Sequence, residues 1–429
     1  MSAVATLTEP WRGLSRTVWI LVVARAVNRI GAFTLPFLGV VLTVEFGASL
    51  GQAGLILAAF GAATIPSRLL GGQLADRLGR RRTIVLGLTG CAIAQLWIAL
   101  SHSLWSAVLA TILLGLAFEI YEPPSQAMIA DVTEPSDRPA AYGLYSAALA
   151  AAGVLAGLLA AALSHWDLRW LFIADAITCL SCAALVAVAL PSEARHGLDE
   201  VTAPGGARLV ASDRRQPVRE EASSAVREEA GSPVLEGPGG RRGVSVWRDR
   251  RLLLLLAGGT VFATIYMQII IGLPLTLVEQ GLPKSGIGII LAISAITLIV
   301  AQRLLRVRNL DDFRSIAIGY ALLAAGLVVC ALAGSLPVFV VASILWSLGD
   351  LFLLTRYLTQ ASGLAPDEAR GRYLAVFGLS WGIATTIAPL TVTQLLERTG
   401  PTGLWLMSAA VAGALAVLQP WFRKRLAPA

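Results

Sequence analysis

Long apolar runs separated by short polar breaks dominate the chain. Six runs come before residue 191 and six follow residue 251, at 18–44, 52–73, 84–101, 104–129, 141–163, 169–190, 252–278, 285–303, 314–333, 337–361, 373–396 and 402–421. A run of about 18 or more apolar residues can cross about 30 Å of hydrocarbon as a helix. The runs exceed the roughly 10-residue alternating segments of outer-membrane barrels. The pattern therefore predicts an all-α integral membrane protein with twelve transmembrane helices.

Composition agrees with burial in lipid. Hydrophobic residues make up 56% and charged residues 14% of 429 residues, with a mean hydropathy of +0.71. A soluble fold of this length cannot hide so much apolar surface. The net charge of +7 does not indicate nucleic-acid binding, because the basic residues lie in short segments between apolar runs. We expect membrane lipid and a small molecule as partners, and no nucleic acid.

A polar stretch divides the two sets of runs. Residues 191–251 are rich in Arg, Glu, Gly, Pro and Ser without apolar periodicity, which predicts a mobile linker. The expected organisation is an N-terminal six-helix half at 1–190, this linker, and a C-terminal six-helix half at 252–429. The end of the linker, 244–251, could form a short amphipathic helix with Trp247 at the membrane interface.

Arginine and lysine are distributed unevenly between the two sets of loops. One set holds Arg77, the arginines at 80–82, those of the linker and the basic residues at 423–425, whereas the opposite set holds little beyond Arg169, Lys284 and Arg398. Basic loops remain on the cytoplasmic side of a membrane. We therefore expect a multi-pass protein of the cell inner membrane with both termini and the linker in the cytoplasm.

The segment between the second and third runs carries a recognisable motif. Residues 72–82 read Gly-Gln-Leu-Ala-Asp-Arg-Leu-Gly-Arg-Arg-Arg, which resembles the signature G-x-L-A-D-R-x-G-R-[KR] of the major facilitator superfamily. In addition, residues 135–142 and 366–373 share a Pro-to-Tyr spacing, as in a weak internal repeat. The resemblance implies two six-helix halves related by a pseudo-two-fold axis and transport by alternating access. We also expect a monomer without enzymatic activity.

The resemblance also implies a role for the motif as a conformational latch. The latch residues would be Gly72, Asp76, Arg77, Gly79 and Arg80. By analogy with the family, Asp76 should face the start of span eleven near Arg372, and Arg80 should pair with Glu122 or Asp131. The alternative is a solvated turn whose arginines only fix the topology.

Ionisable residues inside the apolar runs are few, and each should face a partner or a wet cavity. Arg25 and Arg29 are one turn apart in span one, with Asn28 beside them. In span four, Glu119 and Glu122 should share one helix face, a candidate proton site. The alternative is a static Arg–Glu bridge between spans one and four.

Two aspartates and a double proline complete this set. We expect Asp350 in span ten to be a further proton-coupling candidate, whereas Asp175 in span six should lie off the cavity in a structural hydrogen bond. Pro123 and Pro124 should loosen span four. Freed carbonyl groups are tolerated only against protein or a water-filled cavity, so this face is expected to line the pathway.

A mixed set of residues is predicted to form the substrate cavity. Its members are Arg25, Asn28, Arg29, Phe33, Tyr121, Tyr266, Gln268 and Trp346. An apolar and aromatic pocket with few polar anchors favours a lipophilic substrate over a sugar. Alternatively, the individual aromatic residues pack between helices or face lipid.

These features favour proton-coupled efflux of lipophilic or cationic small molecules, that is, drug or multidrug export, driven by a proton gradient without a cofactor. The span-five stretch 152–157 lacks the proline often found in antiporters of the family. The alternative within the same fold is a carrier for a specific, possibly anionic, metabolite. A hypothesis of a different class is a membrane receptor that does not transport, which would be recognised by the absence of flux. No phosphate-binding loop, metal constellation or nucleophile constellation is evident.

Overall fold

The chain folds as a series of apolar helices. A computed structural model describes residues 11, 13–133, 138–190, 246–305, 312–364 and 370–426. The α-helices of this part are, in chain order, α1 Arg16–Ile30, α2 Thr34–Val44, α3 Leu50–Leu78, α4 Arg80–Leu100, α5 Leu104–Phe118, α6 Glu122–Asp131, α7 Arg138–Leu163, α8 Arg169–Ala189, α9 Arg250–Glu279, α10 Ser285–Leu305, α11 Asp312–Leu332, α12 Leu336–Gly363 and α13 Arg370–Leu426.

Eleven segments of the described residues are long and apolar enough to cross a membrane. The last of them, Val376–Leu426, has 51 residues, and such a helix extends ~76 Å at 1.5 Å per residue, more than twice the thickness of the hydrocarbon layer. Gly400, with φ 65° and ψ −175°, interrupts it between predicted spans eleven and twelve. The described residues are thus helical apart from turns and connections, with segments suited to cross a membrane, and the count of twelve spans in two halves stays a prediction.

Two predicted spans are each broken into two helices. Span one is interrupted between Ile30 and Thr34, and span four between Phe118 and Glu122. Pro36 and the pair Pro123 and Pro124 fall in the first turns of α2 and α6, where a missing N–H leaves no helical hydrogen bond unmade. The prolines therefore begin new helices, and the breaks precede them.

Small residues bring helices from the two ends of the sequence into contact. An added Cβ on Gly157 of α7 would lie 2.6 Å from the backbone nitrogen of Ala292 on α10, and one on Gly61 of α3 would collide with the Thr385 backbone of α13. Helix α2 also contacts helix α9. Glycine lets backbones approach closely, which drives helix packing in lipid.

The predicted linker lies outside the described residues as far as residue 245. At its end, only Val246–Arg248 forms a single 3₁₀ turn, with Trp247 exposed. The Asp249 side chain caps α9 by accepting from the Arg251 backbone N–H, so the chain enters a long helix there and the short amphipathic helix is not formed.

Candidate functional site

A cavity of about 340 Å³ lies between helices from both ends of the sequence. Helices α1, α2, α4, α5, α6, α7 and α8 line it from one side, and α9, α10 and α12 from the other. Seven of the eight predicted cavity residues line it, namely Arg25, Asn28, Arg29, Phe33, Tyr121, Tyr266 and Trp346, as do Glu119, Glu122 and Asp350. The cavity thus collects most of the ionisable residues of the apolar runs.

Gln268 is the predicted cavity residue that does not line this cavity. Its Nε2 donates to Thr391 Oγ1 at 3.0 Å, and its Oε1 accepts from Ser408 Oγ at 2.9 Å. Both ends of the amide are thereby used to join α9 to α13. Helix periodicity alone could not separate this contact face from the cavity face.

Arg25 is the centre of a polar cluster that joins three spans. Its guanidinium forms an ion pair with Glu122 and donates to Tyr145 Oη at 3.1 Å and to Asn28 Oδ1 at 2.8 Å. It also lies 4.7 Å from the centre of the Tyr121 ring. An ion pair removed from water is stable only when the other hydrogen-bonding groups are satisfied, and Tyr145 and Asn28 accept the further donors of Arg25 in this partly buried pair. The static Arg–Glu bridge between spans one and four is thus present in this conformation.

Glu119 does not share a helix face with Glu122, because the helix is interrupted between them. Glu119 follows the last residue of α5, and Ser67 Oγ accepts its backbone N–H at 3.0 Å. Its carboxylate lies 3.8 Å from the guanidinium of Arg68, which is 54% exposed. Arg68 was absent from the predicted site, although a charge beside Pro66 within an apolar run was a usable signal.

Asp350 stands in a different environment on α12. It is 4% exposed, and among the described residues its Oδ1 has no hydrogen-bond partner. Arg356, further along α12, pairs instead with Asp312 at 2.7 Å. The neighbouring wall is aromatic, since Trp346 and Tyr266 also line the cavity.

An aromatic cluster packs against the side of that wall that faces away from the cavity. Tyr266 packs edge-on against Trp381, with ring centres 5.3 Å apart, and against Phe262 at 6.3 Å. Phe262 in turn stacks on Tyr357, whose hydroxyl lies 2.8 Å from that of Tyr320. Interlocked rings of this kind restrict the side chains that face the cavity.

Asp175 was expected off the cavity, but it lines the cavity and is also hydrogen-bonded. Its Oδ2 accepts from Thr34 Oγ1 at 2.9 Å and from Gln95 Nε2 at 2.5 Å. The Cys179 thiol is 3.6 Å from Oδ1. The structural hydrogen bond is therefore present, whereas the predicted position was wrong. Gln95 and Thr34 were not predicted, although a glutamine in the middle of an apolar run is a usable signal.

The motif at 72–82 forms the turn between α3 and α4. Gly79 has φ 84° and ψ 155°, a conformation that a residue with a Cβ rarely adopts. Arg81 donates to the Ala187 carbonyl near the end of α8, where helix carbonyls lack intrahelical partners. Asp76 and Arg77 are exposed, and Arg80 is half-buried.

Gly72 is not a site of close approach here, since an added Cβ would meet nothing within 4 Å. Gly71 has that role, because a Cβ on it would collide with the Ile120 backbone. Among the expected partners of Asp76 and Arg80, Arg372 and Asp131 have side chains outside the described residues, and Glu122 forms an ion pair with Arg25. The latch therefore stays a prediction.

Comparisons with known proteins fit this architecture. Residues 18–312 match the sequence model described as Major Facilitator Superfamily. The chain is 24% identical over 382 residues to a Na(+), Li(+), K(+)/H(+) antiporter of Planococcus maritimus, covering 83% of this chain and 84% of that relative. It is 24% identical over 350 residues to the multidrug resistance protein MdtH of Cronobacter sakazakii, covering 80% and 78%.

A further relative matches over a shorter stretch, and solved structures match over nearly the whole fold. An uncharacterised MFS-type transporter of Bacillus subtilis is 28% identical over 142 residues, which are 33% of this chain and 35% of that relative. A POT family transporter in complex with 5-aminolevulinic acid superimposes with a TM-score of 0.73 at 13% identity, covering 97% of this chain and 98% of that structure. At this identity the likeness concerns the fold alone. Together with the family match, these findings show that the chain belongs to the Major Facilitator Superfamily and is a multi-pass membrane transporter, not an enzyme.

Proposed function

We propose that the protein exports lipophilic or cationic small molecules in exchange for protons, by alternating access. The observation that carries the proposal is Asp350, a buried carboxyl group in a mainly apolar and aromatic cavity wall, with Oδ1 unpartnered among the described residues. A lipophilic cation supplies the missing charge and fits beside Tyr266 and Trp346. A proton can replace the cation on the same group, which is the logic of exchange.

The contacts between α3 and α13 support alternating access. Glu397 of α13 accepts from the Gly51 backbone N–H at 2.6 Å, at the first turn of α3, where free N–H groups and the helix dipole favour a carboxylate. At the other end of these helices, an added Cβ on Gly72 or Gly378 would meet open space. With the basic loops placed in the cytoplasm, these contacts support a conformation that is closed on the outer side and open on the inner side.

In that cycle, the Arg25–Glu122 pair and Glu119 are further candidates for carrying protons, and Asp76 and Arg80 for latching the outward-facing state. The names of two relatives, a cation/proton antiporter and a multidrug resistance protein, support exchange and export. We propose the inner membrane as the location, with both termini cytoplasmic, a proton gradient without a cofactor as the driving force, and a monomer as the working unit.

The test is pH-gradient-driven flux of tetraphenylphosphonium in proteoliposomes. We expect gradient-dependent flux for the wild type, and loss of that flux in Asp350→Asn and in the variant of the coupling acid, Glu119→Gln or Glu122→Gln. Asp312→Asn is the matched control, since Asp312 pairs with Arg356 away from the cavity. Wild-type protein that ignores both the gradient and the cation would contradict the proposal.

One observation favours a second candidate, the carrier of an anionic metabolite. Arg29 is exposed and lines the cavity, and within the described part of the chain no carboxylate lies within ion-pair distance of it. An anion could bind there while Arg25 remains paired with Glu122. Arg29→Gln separates the candidates, because it should abolish transport of an anion and leave tetraphenylphosphonium flux intact.

A further inference from the structure

We propose that Asp175 of α8, with Thr34 of α2 and Gln95 of α4, forms a proton-binding site that drives movement of the first span. The inference rests on the proposed function, because it names a site at which the coupling proton of that exchange binds. It differs from the sites considered so far in position, partners and mode of action. Asp175 is 4% exposed and Gln95 is 1% exposed, yet both line the cavity.

The first step is the balance of charge around Asp175. In the described part of the chain no Arg or Lys lies within ion-pair distance of its carboxyl group, whose hydrogen-bond partners are a hydroxyl, an amide and a thiol. Arg25, on the adjacent helix α1, is paired with Glu122. A carboxylate held only by neutral groups inside a membrane needs a monovalent counter-charge, and a proton provides it.

The titratable groups around Asp175 do not provide that charge. Helices α1, α2, α4 and α7 pack against α8. Cys91 of α4 and Cys179 of α8 contribute neutral thiols, and Tyr145 of α7 belongs to the Arg25–Glu122 cluster. The other titratable groups of α1 and α4 are Arg16 and Arg29 on α1, with Arg29 facing the cavity, and Arg80, Arg81 and Arg82 at the start of α4. Helix α2 contains none, and Arg138 and Tyr142 of α7 have side chains outside the described residues.

The second step concerns Gln95. Its Nε2 lies 2.5 Å from both Asp175 Oδ2 and Thr34 Oγ1, whereas its buried Oε1 has no partner among the described residues. The two ends of an amide can be exchanged by a rotation of the group. In one orientation Nε2 donates to the carboxylate, and in the other Oε1 accepts from the protonated acid. Each protonation state of Asp175 therefore has its own amide orientation, with one amide atom unpaired in both.

The geometry favours a proton over a metal ion. The three polar atoms are 2.5, 2.5 and 2.9 Å apart, which is the spacing of direct hydrogen bonds. Three oxygen ligands around a small cation, at roughly 2.4 Å from it and at right angles, would be about 3.4 Å apart. An alkali ion would have to force the cluster open.

The third step connects the site to movement. Thr34 is the first residue of α2, directly after the break in span one, and Gly31 in this break lies so close to α8 that a Cβ would collide with Thr178 and approach Asp175. Helix α2 also contacts α9. Protonation weakens the charge-assisted hydrogen bond from Thr34 and thereby loosens the contact of α2 with α8.

The first test measures protonation of Asp175 without measuring transport. Purified protein in detergent is treated with dicyclohexylcarbodiimide, which modifies protonated carboxyl groups in apolar surroundings, and labelling of Asp175 is quantified by mass spectrometry across pH. We expect labelling that falls as pH rises, a shifted pH profile in Thr34→Val and Gln95→Leu, and no protection by sodium ions. Protection by sodium, or a profile identical in all three proteins, would overturn the proton site.

The second test reads coupling in proteoliposomes with tetraphenylphosphonium. We expect Asp175→Asn to lose pH-gradient-driven accumulation by a much larger factor than gradient-independent exchange, and Asp175→Glu to restore accumulation with a shifted pH profile. Asp167→Asn, in the exposed turn before α8, is the matched control. Wild-type coupling in Asp175→Asn would overturn the inference. A wild-type protein without flux but with pH-dependent labelling at Asp175 would contradict the proposed function alone.

Discussion

The acids on the two sides of the cavity differ in their partners. On the N-terminal side, Glu122 is paired with Arg25, Glu119 lies near Arg68, and Asp175 accepts hydrogen bonds from Thr34 and Gln95. On the C-terminal side, Asp350 is the acid that lines the cavity, and its Oδ1 is unpartnered among the described residues.

This difference suggests that the acids on the two sides of the cavity have different roles. A hydrogen-bonded network has defined states, and a change in one member alters its neighbours, which suits proton coupling and movement. A single carboxyl group in an aromatic wall remains available for a ligand, which suits recognition. The following variants test these roles, beginning with the largest expected effect.

Arg25→Met should have the largest effect on stability. Removing the guanidinium leaves the partly buried Glu122 without this ion pair and breaks the hydrogen bonds to Tyr145 and Asn28. Loss of one member of a buried ion pair costs about 3–5 kcal/mol. Denaturant unfolding in detergent, followed by tryptophan fluorescence, would measure the loss in free energy of unfolding.

Two companions make that measurement specific. Arg29→Met, one turn further along α1, should change stability little, because Arg29 is exposed and within the described residues makes no ion pair. The double variant Arg25→Met/Glu122→Met should recover most of the lost stability, since neither charge remains. Equal losses for Arg25→Met and Arg29→Met would mean that the network is not what stabilises the N-terminal side.

Asp350→Asn should affect binding more than folding. An interaction with a charged group contributes about 1.5–3 kcal/mol, so tetraphenylphosphonium should bind at least about 10-fold more weakly. The free energy of unfolding should be nearly unchanged or raised, because an unpaired buried carboxyl group is removed. Calorimetric titration with this cation and with a neutral lipophilic analogue would compare the two ligands. An equal loss of affinity for both ligands would show that Asp350 does not recognise the positive charge of the ligand.

Tyr266→Leu should produce a smaller loss of cation affinity. The ring lines the cavity wall, and contact between a cation and a ring face is worth about 1 kcal/mol, roughly fivefold in affinity. Trp381→Leu is the matched control, because Trp381 packs against Tyr266 but does not line the described cavity. A larger effect from Trp381→Leu would indicate that the cluster acts by fixing the wall rather than by touching the ligand.

The sequence predicted the helices better than their interruptions. Apolar run length determines whether a segment can cross a bilayer, so the spans were recognisable without tertiary information. The breaks before Pro36 and Pro123 were not predicted, because a proline inside an apolar run can kink a helix or begin a new one, and the outcome depends on neighbouring packing. At Gly31, the nearby Thr178 side chain of α8 leaves no space for a Cβ.

The site was predictable in its members but not in its pairings. Charged residues in apolar runs are few, and most of those proposed from the sequence line one cavity. The sequence could not show that Arg25 would form its ion pair with Glu122, that Gln268 would hydrogen-bond between two helices, or that Asp175 would line the cavity. These outcomes depend on helix rotation and on distances between spans, which sequence periodicity does not encode.

Arg68→Gln should have the smallest effect, and it sharpens the contrast between the two acids of span four. Arg68 is 54% exposed and lies 3.8 Å from Glu119, and exposed pairs contribute about 0–1 kcal/mol. The free energy of unfolding should therefore fall by no more than this amount, far less than in Arg25→Met under the same conditions. A loss as large as that of Arg25→Met would mean that Glu119 depends on its arginine as Glu122 does. A small loss would leave Glu119 free to change its charge in the cavity, while Glu122 remains tied to the helix it pairs with.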